Sequence, residues 1–291
     1  MNNNITLNKQ ANEFLLYSYF GIVDYDTPET IIRKCVKRAY LDLNRTLTMK
    51  KDKPEQSFMN EYVNLLSNAL QTEGTVSDKR DAAYQLFKSQ EKEMKDYLKM
   101  ETLAQNSKKR NDRCFYYGQA QKWINMSLKY MWLLGLVQED DVNGDYLEAP
   151  IDNFIFNAAA FDNKEMKYPI DIDNPTGSEN KKYHALNENT MPWSKLDKSE
   201  YEYIQNQIKN NIQRKGTIIE WECDAWIKAS ERVKRGEAIT EARKARKLSF
   251  TEVYKKIDIS RNLYSRIEHG YCTVDKKILR KLSELLDSDF Q

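Results

Sequence analysis

The sequence predicts an all-α protein: a large helical N-terminal domain with an irregular acidic insert, followed by a small C-terminal module of short helices. Three observations carry that prediction. The 291 residues include only 9 glycines and 6 prolines, too few for the many turns of an all-β chain. Apolar residues recur at the 3.6-residue period in segment after segment. Start and stop signals (Thr-Pro, Ser-x-x-Glu, isolated glycines) fall at the ends of those segments. The length suits two domains, and 40% hydrophobic with 31% charged residues is an ordinary globular composition.

Residues 5–20 read as a first helix, ended at Gly21. A second starts with Thr27 as N-cap and Pro28 at the first helical position. Its apolar stripe is Ile32, Cys35, Val36, Ala39, Tyr40 and Leu43. Arg33, Lys34, Lys37, Arg38 and Arg45 fall outside the stripe and read as a solvated face with an Arg38–Asp42 pair, rather than as a nucleic-acid surface. Pro54 starts a third helix through Phe58, Tyr62, Leu65, Leu66 and Leu70. Asp78 is the expected cap of a fourth, carrying Ala82, Ala83, Leu86 and Phe87 toward Leu103. Residues 106–113 are polar and basic, as in an exposed loop. The fifth helix, Phe115 to Leu136, is the most apolar; Tyr116, Ala120, Trp123, Ile124, Leu128, Tyr130 and Met131 mark its buried side, a core stripe rather than a cofactor box.

At Gln138 the character changes. Residues 136–190 hold 12 Asp and Glu against 4 Lys and Arg, and four of the six prolines lie between 150 and 192. This predicts an irregular acidic connector, with a short apolar insert at 154–161. Asp141, Asn143 and Asp145 open like a calcium loop. The sixth and twelfth positions, where such a loop needs Gly and Glu, are Tyr146 and Asp152, which argues against it. Helix resumes near Trp193 and runs through Tyr201, Tyr203, Ile204, Ile208 and Ile212 to Gly216. Another follows from Thr217 through Trp221, Trp226, Ile227 and Val233 to Gly236, where the glycine suggests a hinge. The expected domains are therefore 1–236 and 237–291.

Composition narrows the function. Cysteines at 35, 114, 223 and 272 form no C-x-x-C pair, which disfavours a zinc site and suggests free buried thiols. With only His184 and His269, most histidine-dependent catalysis and metal ligation drop out. No metal or cofactor is expected. The longest apolar run, Tyr130 to Val137, is far too short for a membrane span, and the start lacks a signal-peptide pattern; the expectation is a cytoplasmic protein with no membrane partner. Net charge is +2, yet from Trp226 onward 16 Lys and Arg face 10 Asp and Glu, a local balance of +6.

That basic tail has the parts of a helix-turn-helix. Ile239, Ala242 and Ala245 give a first helix a narrow apolar side. Leu248 and Ser249 provide the stop and the next N-cap, with Glu252 in the capping-box position. Val253 and Ile257 point inward from the second helix, Asp258-Ile-Ser260 makes the turn, and Ser260 caps the third. Tyr264 and Ile267 anchor that helix and Gly270 ends it. Ile278, Leu282, Leu285 and Leu286 form a covering helix.

Over about 52 residues, Ile239 to Phe290, the tail resembles the Cro/repressor-type helix-turn-helix of the XRE family. The matches are Ser260-Arg-Asn-Leu-Tyr-Ser-Arg-Ile-Glu-His-Gly270 together with Arg243. The resemblance implies that Arg243 pairs with Glu268, locking the first helix to the end of the third. It also implies that Ser260, Arg261, Asn262, Leu263 and Arg266 face DNA. Their chemistry suits that role: Arg takes guanine bidentately, Asn takes adenine, an apolar residue meets a thymine methyl, and Ser at a helix start holds phosphate. Three residues depart from the family. Phe250 stands where a phosphate-binding Gln is usual, Tyr254 replaces a small residue between the second and third helices, and Asp258 replaces the turn Gly.

The resemblance implies a transcriptional regulator of double-stranded DNA acting as a homodimer, with residues 1–236 supplying the dimer contact or receiving a signal or protein partner. Two alternatives stay open. One is a binding or inhibitor protein from a phage or mobile element whose tail regulates its own gene. The other is a nuclease or toxin drawing on carboxylates such as Asp140, Asp141, Asp171 and Asp173.

Overall fold

The computed structural model describes residues 8–98, 115–140, 145–155, 158, 193–211 and 217–290. These are helical without a named strand; only two isolated bridges, Met49 with Leu98 and Asp140 with Asp145, interrupt the pattern among the described residues. None of the described helices is long and apolar enough to cross a membrane. The chain forms two compact units. Residues up to 152, with 193–206 and 217–219, make the first; 153–155, 158, 207–211 and 220–290 make the second.

In the first unit, α1 (Lys9–Phe20) opens with Asn8, whose side chain accepts from the Ala11 N–H, and closes at Gly21 with φ 72°. α2 (Pro28–Leu43) is capped by Thr27 and buries Ile32, Cys35, Val36, Ala39, Tyr40 and Leu43, the stripe its periodicity specifies. α3 (Glu55–Leu70) follows Pro54. α4 (Val76–Ser89) is capped by Thr75, not Asp78. Asp78 stands three residues further on, and its carboxylate accepts back from the Thr75 N–H in a reciprocal capping box. α4 stops at Gln90, and α5 (Glu91–Tyr97) is a separate short helix rather than a continuation toward Leu103. Residues 106–113 lie outside the described residues.

α6 (Tyr117–Leu133) is the centre of this unit. It packs most extensively on α2 and also contacts α4. Trp123 is fully buried, donates its indole N–H to the Val36 carbonyl at 3.0 Å, and meets the rings of Tyr40, Phe58 and Phe87. α6 is enclosed on nearly every side, so its polar residues are buried too: Gln121, Lys122, Asn125 and Ser127. An unpaired polar group there would cost about 1–3 kcal/mol; Ser127 donates to the Trp123 carbonyl, the Asn125 amide donates to the Tyr201 hydroxyl, and the chain segment after α6 supplies partners for Gln121 and Lys122.

That segment, read as an irregular acidic connector, is irregular in its described part, 145–152, and forms a largely buried strap. The Gln121 amide both donates to the Ile151 carbonyl and accepts from the Ile151 N–H, at 2.9 and 3.1 Å. Gln205, on α7 (Lys198–Asn211), does the same for Ala149. Two side-chain amides thus replace the partner strand an extended buried backbone otherwise needs. The acidic residues are occupied as well. Asp152 pairs with Lys122 at 2.8 Å, and Glu148 lies 3.7 Å from Arg80 and accepts from the Tyr201 hydroxyl at 2.7 Å. Asp145 accepts from the Val76 and Ser77 N–H groups, both at 2.8 Å, and so caps α4. Asp141, Asn143 and residues 159–192 lie outside the described residues. The basic face of α2 is partly neutralised: Lys34 binds Asp26, and Arg38 binds Asp42 at 3.3 Å.

Candidate nucleic-acid interface

The second unit is built on α8 (Ile218–Ala245), followed by α9 (Phe250–Lys256), α10 (Arg261–Glu268) and α11 (Lys276–Leu286). The expected hinge at Gly236 is not a hinge: α8 runs through it without a break. The glycine has another purpose. A methyl group there would lie 2.7 Å from the Ile267 carbonyl oxygen and the Glu268 carbonyl carbon, and closer still to the Glu268 oxygen. Gly270 answers from the other side. A methyl group on it would lie 2.6 Å from the Val233 nitrogen, and its φ of 70° is left-handed. The two glycines let the end of α10 touch the backbone of α8. Along this helix Trp226 and Ile227 are exposed, while Ala225, Ala229 and Ile239 are buried.

The three short helices have the anatomy read from the sequence. Ser249 caps α9, accepting from the Glu252 N–H at 3.2 Å, while Glu252 accepts from the Ser249 N–H at 2.7 Å. Those bonds from Ser249 hold the Glu252 carboxyl below its usual range. Ser260 caps α10, accepting from the Leu263 N–H at 3.1 Å. The turn between them is left-handed at Asp258, with φ 57°, and the Ile259 N–H closes back on the Tyr254 carbonyl. Lys281 donates to the free Ile257 carbonyl at 2.9 Å. Ile239, Val253, Ile257, Tyr264, Ile267, Leu282 and Leu286 form the core.

Arg243 and Glu268 form a largely buried ion pair. Nε meets Oε1 at 2.7 Å and Nη2 meets Oε2 at 3.4 Å, while Nη1 donates to the Leu248 carbonyl at 3.2 Å. The Tyr264 hydroxyl donates to the same Oε1 at 2.7 Å. The bond to Glu268 raises the Arg243 pKa, and burial, then the neighbouring carboxylate, raises that of Tyr264. Tyr264 is thus more than a core anchor, and its i, i+4 spacing to Glu268 is the signal for this bond.

The side chains assigned to DNA divide into two groups. Ser260, Arg261 and Asn262 are exposed at the start of α10. Leu263 is half-buried and packs against the core. Arg266 is turned back: Nη2 donates to the Tyr271 carbonyl at 3.3 Å, so this guanidinium braces the α10–α11 connection instead of projecting freely. Phe250 and Tyr254 are partly buried, and the Phe250 ring lies 4.8 Å from Tyr264 and 5.9 Å from Tyr254.

Of the carboxylates named for the nuclease or toxin alternative, Asp140 exchanges two backbone bonds with Asp145, at 2.7 and 2.9 Å; Asp141, Asp171 and Asp173 lie outside the described residues. Among the described residues no three His, Cys, Asp or Glu converge as a metal site. Cys35, Cys223 and Cys272 form no disulfide; burial pushes the Cys35 thiol up to about 12.

No curated protein and no solved structure matches the chain. One family model does, described as helix-turn-helix and covering residues 239–291. With the capped α9, the left-handed turn and the Arg243–Glu268 lock, residues 239–291 are a helix-turn-helix module of the XRE type.

Proposed function

We propose that this protein is a sequence-specific DNA-binding regulator. It acts as a homodimer, reads the major groove with α10, and uses its first unit for dimerisation or to receive a signal or protein partner. The observation that supports it most is the exposed N-terminal end of α10. Arg261 and Asn262 carry no contact in the fold that demands their polarity, yet they sit on a helix held by a largely buried ion pair. A rigid helix presenting a guanidinium and an amide side by side matches the donor and acceptor edges of guanine and adenine. In the same module Lys247, Lys255 and Lys256 are exposed and suited to phosphate, while Arg246, also exposed, is paired with Asp287 at 2.6 Å.

The test is a gel-shift of the full chain on duplexes selected from a random pool, followed by Arg261→Ala and Asn262→Ala. The expected result is one enriched sequence with two half-sites. Each substitution should weaken binding by about 1–3 kcal/mol and relax preference at its own base pair. Selection that enriches no sequence, or variants that bind as the wild type does, would overturn the reading.

A further inference from the structure

Helix α1 carries an apolar surface that its own unit leaves open. The run Phe14-Leu-Leu-Tyr-Ser-Tyr-Phe20 is apolar or aromatic on all sides except at Ser18, the pattern of an enclosed helix. Yet none of the residues of α1 is buried. One side is held. The Tyr19 and Phe20 rings meet Tyr130 edge-on, the Arg38 guanidinium lies 4.3 Å over Tyr19, and Lys34 donates to the Gly21 carbonyl. The other side is in solvent: Phe14 is 67% exposed and Tyr17 62%, and Leu15 is about half exposed. Leu41, one turn beyond Arg38, and Leu133, one turn beyond Tyr130, are each about half exposed too. They extend the apolar surface past the held edge of α1.

Charge and area point to one occupant. The ionic groups on and beside α1 are matched, Lys9 with Glu13, Lys34 with Asp26, and Arg38 with Asp42, while Arg33, Lys37 and Arg45 stand exposed at the Leu41 edge. The α1 face itself, Phe14, Leu15 and Tyr17, is uncharged and aromatic, and it complements a second surface of its own kind. Phe14, Leu15, Tyr17, Tyr19, Leu41 and Leu133 together expose roughly 600 Å², near the ~800 Å² each partner contributes to a standard interface.

We infer that α1 is the homodimer interface, packing against α1 of a second copy about a two-fold axis, with Phe14 and Tyr17 at its centre. This deepens the regulator reading, on which it rests for its purpose: pairing two modules, each too small to bind tightly alone. The surface itself belongs to the first unit.

The test is sedimentation of the full chain at micromolar concentration without DNA. The wild type should sediment at twice the mass of the 34.4 kDa chain. The double variant Phe14→Glu with Tyr17→Glu should run as a monomer, and Ile227→Glu, an exposed apolar position of the second unit, should stay dimeric. Mixing the double variant with its counterpart Phe14→Lys, Tyr17→Lys should restore a mixed dimer, which a folding defect would not do. A monomeric wild type overturns the inference and leaves the face to a different protein; a glutamate variant that remains dimeric overturns it as well. A dimer that shifts no duplex would sink the DNA reading alone, and a monomer that shifts DNA would sink the interface alone.

Discussion

Gly236→Ala decides whether α8 and α10 touch as closely as the geometry requires. In a helix facing water, replacing glycine by alanine stabilises by about 1 kcal/mol, because the backbone loses less entropy on folding. Here the new methyl group would lie 2.7 Å or less from three backbone atoms of Ile267 and Glu268. Ordinary contact is near 3.5–4.0 Å, so the two helices must part by about 1 Å. Backbone cannot rotate aside as a side chain would. Overpacking of this kind costs about 1–3 kcal/mol, and the shift would also lengthen the Arg243–Glu268 bonds formed at the same end of α10. The expected net effect is destabilisation by about 1–2 kcal/mol, opposite in sign to the propensity effect. Native-state hydrogen exchange of the full chain reads it locally. Amides of residues 239–270 should exchange about tenfold faster, while those of α2 and α6 stay unchanged. Slower exchange in 239–270, the signature of ordinary helix stabilisation, would refute the close approach.

Other substitutions test the rest of the module. Asp258→Gly should stabilise it by about 1 kcal/mol by relieving a left-handed backbone, and Asp258→Val should destabilise it by at least as much; urea midpoints give the sign. Arg243→Ala should cost about 3 kcal/mol by leaving Glu268 largely buried and unpaired, and a double-mutant cycle with Glu268→Gln should show coupling above ~0.5 kcal/mol. Glu252 has a folded pKa lowered by its bonds to Ser249, so its contribution is present above the unfolded carboxyl pKa and is lost as pH falls through the folded one. Acid unfolding of the module should be shallower in Glu252→Gln. In the first unit, Asp145→Ala removes the acceptor for two N–H groups at the start of α4 and should cost about 1–2 kcal/mol; an unchanged melting curve would dispose of that cap.

Much of the helical skeleton was legible because it is written locally. The stripe of α2 and the caps at Thr27, Ser249 and Ser260 depend on residues within two turns of one another, and they appear where their patterns put them. What could not be read are arrangements that join distant residues. Gly236 carries the same letter as a hinge or a helix stop, and only α10 lying against it reveals a close crossing. Lys247 and Asp287 end their helices in left-handed conformations without the glycine or asparagine that would signal them. The acidic residues after α6 mark an irregular connector in the sequence but give no sign of burial, because charge is normally exposed. Their partners, Lys122, Arg80 and the first N–H groups of α4, lie 30 to 69 residues away.

The three departures from the family pattern show the same coupling at the site itself. Taken singly, Phe250 forfeits a phosphate contact, Tyr254 crowds a helix crossing, and Asp258 strains a turn. In the fold the first two belong to one cluster. Phe250 covers Tyr264, Tyr254 packs beside Phe250, and Tyr264 delivers its hydroxyl to the carboxylate that holds Arg243. The aromatic side of α9 therefore supports the lock on α10 from below. A polar residue at 250 would uncover Tyr264 and weaken that lock, even as it restored a donor for phosphate. The start of α10 keeps Arg261 and Asn262 free of such duties, whereas Arg266 is engaged with Tyr271. On the proposed DNA-binding reading, sequence discrimination would fall to the first turn of the helix, and the exposed lysines 247, 255 and 256 would supply the affinity.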